Sequence, residues 1–169
     1  MKIVLIGFMC AGKSRVGSSL SHKLGWPHLD TDRLIAEEVG MPVGAYIQKN
    51  GEQAFREQER KVINRIREMD QCVISTGGGV PLNSDNMNDL AINSEIVWLK
   101  VSPSTILLRA GDLKSRPLID PERPLESIQK RLAEREPLYA KAHFSIDTDQ
   151  FDPKEIAEEI LRRVHYENS

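Results

Sequence analysis

Short apolar runs alternate with longer amphipathic stretches along this chain of 169 residues. A short apolar run bounded by turn residues is typical of a buried strand, whereas apolar positions at every third or fourth residue are typical of a helix. We predict five strands, at residues 3–6, 28–29, 72–75, 96–101 and 144–146. We predict six helices, at residues 13–24, 33–39, 52–69, 103–109, 125–133 and 153–164, the last with Asp152 as its N-cap. This alternation predicts an α/β fold with a parallel sheet between layers of helices.

The segment 111–124 departs from the alternation. It holds three prolines and charges of both signs, and its apolar positions have no clean period. A loop of this length in a compact domain is usually functional or disordered. The rest of the chain has no internal repeat, low-complexity tract or linker, so we expect one domain over residues 1–169.

The composition of the chain argues against several classes of function. The net charge is −2 and the pI is near 6.1, which argues against binding nucleic acid through a general basic field. No stretch approaches the ~20 apolar residues that a membrane helix needs. Cys10 and Cys72 are too few for a disulfide framework or a zinc site, which favours a reducing compartment. We expect a cytoplasmic protein that binds neither nucleic acid nor membranes, and a monomer, since nothing suggests an obligate partner.

The strongest motif is Gly7-x-x-x-x-Gly12-Lys13-Ser14, which lies between a predicted strand and a predicted helix. This pattern is typical of loops that bind the phosphates of nucleoside triphosphates. The glycines let backbone N–H groups point at phosphate oxygens, and the following helix adds the positive end of its dipole. Lys13 suits the β- and γ-phosphates, and the Ser14 hydroxyl suits Mg²⁺. The motif predicts a triphosphate site and transfer of the terminal phosphoryl group, with a ligand-free glycine-rich turn as the alternative.

This loop alone does not separate a kinase from a GTPase or an ATPase. The guanine-reading motif Asn-Lys-x-Asp is absent, and the apolar run at 72–75 lacks the aspartate that usually completes a metal site. Asp30 and Asp32 follow the second predicted strand, and ligands in such sheets bind beyond the carboxyl ends of the strands. We therefore expect Asp30 to hold magnesium, directly or through water, and Asp32 to face an acceptor hydroxyl. The alternative is that one of them only caps the next helix.

Further candidates follow in the chain. Three successive glycines, Gly77-Gly78-Gly79, let the backbone approach a ligand closely, although they could also form a plain turn. Arg56, Arg116 and Arg135 suit an acceptor carboxylate or charge on the γ-phosphate, although each alone is more often a surface arginine. The residues by themselves predict a small-molecule kinase with an acidic group near its acceptor hydroxyl.

Taken together, these motifs resemble the shikimate kinase family. The resemblance runs from Lys2 to about Arg163 and keeps the family's order: the phosphate loop, Asp30-Thr31-Asp32, Gly51-Glu52, Phe55-Arg56-x-x-Glu59, Gly77-Gly78-Gly79, Arg116-Pro117-Leu118 and Arg135 before the expected turn Pro137-Leu138-Tyr139. It implies a three-layer P-loop kinase fold whose five-stranded parallel sheet has the order 2-3-1-4-5. It also implies a shikimate-binding region at about 31–60 and a mobile lid at about 111–124.

The resemblance implies a reaction and residue roles. ATP would phosphorylate the 3-hydroxyl of shikimate with Mg²⁺ as cofactor, a step toward chorismate and the aromatic amino acids. The implied catalytic residues are Lys13, Asp32 as the base, and Arg116 on the lid. The implied nucleotide-binding residues are Cys10, Ala11, Gly12, Lys13, Ser14, Arg15, Arg109, Arg116, Phe151 and Pro153. The implied shikimate-binding residues are Asp32, Arg56, Gly77, Gly78, Gly79 and Arg135, with Glu59 orienting Arg56. The implied metal residues are Ser14 and Asp30.

Three residues depart from the family's pattern. Cys10 stands where glycine is more usual, and we expect ATP to protect its thiol partly from alkylation. Arg15 replaces a common threonine, and Ile47 stands where an aromatic residue often lines the shikimate pocket.

Two other functions stay open at this point. The chain could be a P-loop kinase for gluconate or for a nucleoside monophosphate. Arg56 and Arg135 together with Asp32 argue against a nucleotide acceptor, which would need base-reading groups. It could also be a catalytically silent nucleotide-binding module, against which the intact Lys13 and Arg116 argue.

Overall fold

The computed structural model describes residues 1–111 and 119–167, with side chains described up to residue 164. Its strands are β1 (Lys2–Ile6), β2 (His28–Asp30), β3 (Val73–Ser75), β4 (Ser94–Lys100) and β5 (Phe144–Asp147). The helices in these residues are α1 (Lys13–Leu24), α2 (Thr31–Val39), α3 (Val43–Ile66), α4 (Ser84–Ala91), α5 (Pro103–Ala110), α6 (Pro124–Tyr139) and α7 (Pro153–Glu167), with a 3₁₀ turn at Val80–Leu82. All five predicted strands are present, each within two residues of its predicted bounds.

The strands form one parallel sheet in the order β2-β3-β1-β4-β5. β1 is the central strand, and every residue from Lys2 to Ile6 is buried. A parallel strand covered on both faces has no polar alternation, which explains the unbroken apolar run at the start of the chain. The predicted α/β class and strand order are confirmed.

The connections create a crevice beside β1. The crossover from β1 to β2 runs in one direction across the sheet, and the later crossovers run in the other. Because such crossovers are right-handed, α1 covers one face and α3 and α4 cover the opposite face. α7 packs on α1, and α3 packs on both α2 and α4. The chain therefore leaves the neighbouring strands β1 and β3 toward opposite faces, and ligands bind in the crevice that such a reversal opens.

Helices α1, α2 and α7 are among those that begin beyond the carboxyl ends of the strands, where the crevice lies. α1 begins after Gly12, which has no side chain to cap the first N–H groups. α2 is capped by Asp30, whose Oδ1 accepts from the N–H groups of Asp32 (3.1 Å) and Arg33 (3.3 Å). Before α7, Asp152 Oδ1 accepts from the N–H groups two and three residues on, at 2.7 and 3.0 Å, so its predicted N-cap role is confirmed.

Some local features were not predicted. α3 is broken at Gly51, which has φ 87° and ψ 165°, so the helical segment predicted from residue 52 does begin there, whereas the segment from Val43 that precedes the break was missed. The structure also contains α4, which the apolar pattern did not predict. Its sequence is rich in Ser, Asp and Asn, which are weak helix formers, and an Asn83 cap compensates at its start.

The predicted turn at 137–139 is wrong, because Pro137 lies inside α6. This error matters for the site, since the same helix carries Arg135. Among the described helices, none has the length and apolar character to cross a membrane.

The predicted lid lies mostly outside the described residues. Segment 112–118, which includes Arg116, is not described, so the lid and the role of Arg116 stay predictions. On its carboxyl side, Ile119 is 3% exposed and joins the core. The Asp120 N–H then donates to Ser127 Oγ at 3.2 Å, which ties the chain to α6.

Candidate active site

The loop after β1 closes around the amino group of Lys13. Gly7 and Gly12 adopt φ values of 147° and 89°, and a Cβ on Gly7 would lie 2.6 Å from the Leu99 carbonyl oxygen. Lys13 Nζ donates to the carbonyls of Gly7 at 2.7 Å and Phe8 at 2.8 Å. Burial lowers the pKa of Lys13 to about 8, opposed in part by Asp32 and Asp30. A cation is thus held at the start of α1, where the helix dipole favours phosphate.

Arg109 ties this loop to the segment that follows β5. One guanidinium nitrogen donates to the Cys10 carbonyl at 3.1 Å, and another donates to the Thr148 carbonyl at 2.8 Å. Cys10 is half-buried and has a φ of 60°. That left-handed backbone costs a residue with a side chain roughly 1 kcal/mol and costs glycine nothing, which is a physical reason for glycine at this position.

A cavity of about 500 Å³ opens beside Arg109. Most of the residues predicted to bind the nucleotide line it, together with others from the same elements: Cys10, Ala11, Gly12, Arg15, Val16, Arg109, Thr148, Phe151, Asp152, Pro153 and Ile156. A second cavity of about 310 Å³ shares Cys10, Gly12 and Arg15 with the first. Because they share these loop residues, both cavities border the phosphate loop.

The second cavity contains the acidic residues that follow β2. Ser14 Oγ donates to Asp30 Oδ2 at 2.6 Å, while Asp30 Oδ1 caps α2. Asp30 therefore caps α2, which the sequence offered as the alternative to a magnesium role, and it also lies beside Ser14, the other residue expected to hold magnesium. In the part of the chain that is described, no group of three or more His, Cys, Asp or Glu could hold a metal ion alone. Two oxygen ligands beside a phosphate site fit Mg²⁺, which takes its other ligands from water and substrate phosphates.

Asp32 points into the same cavity from the first turn of α2. Within the described residues, its Oδ1 is buried and has no hydrogen-bond partner. Burial is the main cause that raises the pKa of Asp32, and Asp30 raises it further, while Lys13 and Arg56 act in the opposite direction. A desolvated carboxylate with a free acceptor atom can receive a hydroxyl proton.

Arg56 is held by two carboxylates of its own helix. Its guanidinium bonds to Glu59 at 3.0 and 3.1 Å and to Glu52 at 3.3 Å. Glu59 is 1% exposed, and its burial is the main cause that raises its pKa, which the Arg56 charge and hydrogen bond counter. A Cβ on Gly79 would lie 2.8 Å from Arg56 Cζ, so the glycine makes room for the guanidinium.

Arg135 approaches the same glycine turn from α6. Its guanidinium donates to the Gly78 carbonyl at 3.1 Å and lies over the Phe8 ring at 5.4 Å from the centroid. Gly78 in turn lies against the phosphate loop, since its Cβ would be 3.5 Å from the Gly7 carbonyl oxygen. Arg56 and Arg135 thus contact successive glycines of one turn, although they lie 79 residues apart in sequence.

Sequence reasoning assigned no role to two buried residues that contact this turn. Thr31 Oγ1 accepts from the Gly77 N–H at 2.9 Å, and Tyr139 donates its hydroxyl to the Gly78 carbonyl at 2.8 Å. Both residues lie inside motifs that the sequence analysis quoted. Their positions, beside Asp32 for Thr31 and near Arg135 for Tyr139, were the signal that could have identified them.

Ile47, which departs from the family's pattern, is half-buried on α3 and packs against the core.

Comparison with known proteins agrees with this arrangement. The model of a protein family described as Shikimate kinase matches residues 9–165 of the chain. The chain belongs to the shikimate kinase family. The resemblance seen in the sequence is therefore confirmed, and the chain is a phosphotransferase that uses ATP.

Individual shikimate kinases match almost end to end. The enzyme of Sulfurihydrogenibium sp. is 41% identical over 96% of this chain and 96% of its own length. That of Moorella thermoacetica is 44% identical over 94% of this chain and 91% of its own length. Among solved structures, shikimate kinase from Acinetobacter baumannii in complex with shikimate has a TM-score of 0.92 at 33% identity, covering 98% of this chain and 93% of that one. These matches confirm the P-loop kinase fold.

Proposed function

We propose that this shikimate kinase transfers the γ-phosphoryl group of ATP to the 3-hydroxyl of shikimate, on the route to chorismate and the aromatic amino acids. The observation that carries the proposal is the convergence of Asp32, Arg56 and Arg135 on the Gly77–Gly79 turn, beside the phosphate loop. A carboxylate and two arginines match an acceptor that has hydroxyl groups and one carboxylate.

The part of the site that binds ATP, the phosphoryl donor, follows the phosphate loop. Backbone N–H groups from Cys10 to Arg15 and the Lys13 ammonium bind the phosphates, and Arg109 with Phe151 and Pro153 encloses the adenine. Phe151 is 53% exposed and so presents its ring to a ligand. Arg116 approaches the phosphates when the lid at 111–124 closes, which excludes water as a competing acceptor.

The part of the site that binds shikimate, the phosphoryl acceptor, is formed by residues 31–60, the Gly77–Gly79 turn and α6. Arg56 and Arg135 bind the shikimate carboxylate, since a guanidinium binds a carboxylate through two parallel hydrogen bonds. Arg56 keeps its Glu59 bonds through Nη1 while doing so, and its Nη2 exchanges or shares the longer bond to the exposed Glu52. The backbone of Gly77, Gly78 and Gly79 contacts the ring substituents.

Magnesium would be held by Ser14 and by Asp30, directly or through water. When bound, it neutralises charge on the β- and γ-phosphates. The Ser14 hydroxyl would ligate the metal through an oxygen lone pair, so its O–H could still donate to Asp30 Oδ2.

The chain's own groups carry the proton and the charge. The 3-hydroxyl oxygen forms a bond to the γ-phosphorus while the bond from that phosphorus to the β-phosphate oxygen breaks, which yields ADP. The hydroxyl proton passes to Asp32, whose raised pKa makes it a better proton acceptor than an exposed aspartate. Lys13 and Arg116 stabilise charge on the transferring group, because such transfer depends mostly on positioning and electrostatics.

The remaining attributes complete the proposal. The chain acts as one domain and a monomer in the cytoplasm, with shikimate and ATP as its partners and no nucleic acid or membrane. The net charge of −2 supports the last point, the lack of nucleic-acid and membrane partners, since it gives no general attraction to phosphate polymers or anionic lipid.

The test is a coupled ADP-release assay with shikimate, gluconate and AMP as acceptors. We expect a clear preference for shikimate, and phosphorus NMR should find the product phosphate on the 3-hydroxyl. Asp32→Ala should abolish turnover, while Asp85→Ala, at an exposed carboxylate on α4, should retain it. Preference for gluconate or AMP would refute the acceptor, and full activity of Asp32→Ala would refute the base.

A further inference from the structure

Two buried hydroxyls, one from α2 and one from α6, are hydrogen-bonded to the Gly77–Gly79 turn. Thr31 and Tyr139 are both 0% exposed, so neither side chain can contact a substrate in the present geometry. Thr31 Oγ1 accepts from the Gly77 N–H at 2.9 Å, and the Tyr139 hydroxyl donates to the Gly78 carbonyl at 2.8 Å. We call the two side chains and the turn the glycine clamp.

The Thr31 side of the glycine clamp acts on Asp32. A Cβ on Gly77 would lie 2.6 Å from Asp32 Oδ1, so the Gly77 backbone is packed directly against the carboxylate. Thr31 precedes Asp32 in the first turn of α2, and its bond joins that helix to the turn after β3. The bond therefore sets the distance between the carboxylate and the turn on which the acceptor rests.

The Tyr139 side acts on Arg135. The Gly78 carbonyl receives the Tyr139 hydroxyl and the Arg135 guanidinium together, and the two residues are one helical turn apart on α6. The Tyr139 ring is held independently of its hydroxyl, because it packs on Trp98 with 5.8 Å between ring centroids. Removing the hydroxyl alone therefore takes away one of these two donors to the Gly78 carbonyl without removing the ring.

We infer that Thr31 and Tyr139 are positioning residues of the phosphoryl transfer, an inference that rests on the proposed function. Thr31 holds Asp32 in the position to accept the hydroxyl proton, so its loss should lower kcat. Tyr139 holds Gly78 and Arg135 in the position to bind the acceptor, so its loss should raise the KM for shikimate.

The experiment removes each hydroxyl while keeping the side chain's shape. Thr31→Val should lower kcat about tenfold with the shikimate KM little changed, and Tyr139→Phe should raise the shikimate KM about fivefold with kcat little changed. The KM for ATP should stay constant in both variants. Thr31→Ser keeps the hydroxyl and should restore kcat, and Thr31→Ala replaces Thr31→Val if the latter does not fold.

The matched control is Ser94→Ala. Ser94 Oγ donates to the Leu90 carbonyl at 2.6 Å, at the start of β4 and so at the sheet edge opposite the site. This variant should lose some thermal stability and keep both kinetic constants.

Two results would overturn the inference, and they are distinguishable. If Thr31→Val and Tyr139→Phe lose only thermal stability, as Ser94→Ala does, the hydroxyls are merely structural and the glycine clamp has no positioning role. If the unaltered protein does not phosphorylate shikimate, the proposed function fails and the inference fails with it.

Discussion

Replacing Gly79 by alanine should weaken shikimate binding by displacing Arg56. The Gly79 backbone has φ −95° and ψ −5°, which an alanine adopts without strain. The new Cβ would instead lie 2.5 Å from Arg56 Nη1 and 2.8 Å from Cζ, which is closer than non-bonded atoms approach. Either the turn or the guanidinium must move.

The size of the effect follows from what holds Arg56. Its bonds to the buried Glu59, at 3.0 and 3.1 Å, resist displacement on the helix side, so the guanidinium cannot simply rotate away at no cost. A displaced Arg56 would lose a hydrogen bond to the shikimate carboxylate, and a hydrogen bond to a charged group contributes about 1.5–3 kcal/mol. A loss of about 1.4 kcal/mol lowers the affinity tenfold. We expect the shikimate KM to rise about tenfold to a hundredfold, with kcat and the ATP KM nearly unchanged.

Steady-state kinetics of Gly79→Ala, Arg56→Ala and the double variant test this reasoning. If the alanine acts only through Arg56, then it should cause little further loss once Arg56 is gone. A shikimate KM within twofold of the unaltered protein, or losses that simply add in the double variant, would refute it. Thermal unfolding of each variant checks that the turn still folds.

Three other predictions concern residues outside this contact. Because burial lowers the pKa of Lys13 to about 8 and bound phosphate favours its charged form, ATP binding above that pH must take up a proton. The ATP KM should be constant below about pH 8 and should rise above that pH by up to about tenfold per pH unit. Calorimetry in different buffers should detect the proton uptake. Cys10 lines both cavities, so ATP should slow its alkylation, whereas Cys72 is 0% exposed and should stay unlabelled in mass spectra. Lys2 is 0% exposed and its Nζ donates to the Arg67 carbonyl at 2.6 Å and to the Ile92 carbonyl, so Lys2→Met should cost about 2 kcal/mol and lower Tm by about 5 °C.

Each of the three has a result that contradicts it. An ATP KM that stays constant well above pH 8 would show that Lys13 keeps its proton in the free protein. Equal alkylation rates of Cys10 with and without ATP would remove it from the nucleotide's contacts. For Lys2, the comparison is Lys61→Met at an exposed lysine, and equal melting temperatures would mean that the buried ammonium contributes no stability.

The sequence by itself determined the strands, most of the helices and the phosphate loop of this protein. The apolar run before Gly7 predicts a buried central strand, and the glycines and Lys13 after it predict a phosphate loop, because these features depend only on neighbouring residues. The cap at Asp152 was predictable for the same reason. Errors arose where local signals conflict with packing: α4 is polar and short, and Pro137 continues a helix that a proline usually ends.

Only the tertiary structure decided which distant residues meet. Arg56 and Arg135 lie on separate helices, and although the family resemblance implied that they share one site, their positions in the sequence do not show that both contact the turn after β3. The contacts of Thr31 and Tyr139 were likewise not predictable, because the sequence does not show which group a buried hydroxyl bonds to. The physical reason is that residue spacing fixes contacts within one element, whereas the order β2-β3-β1-β4-β5 and its crossovers determine which loops share the crevice beside β1.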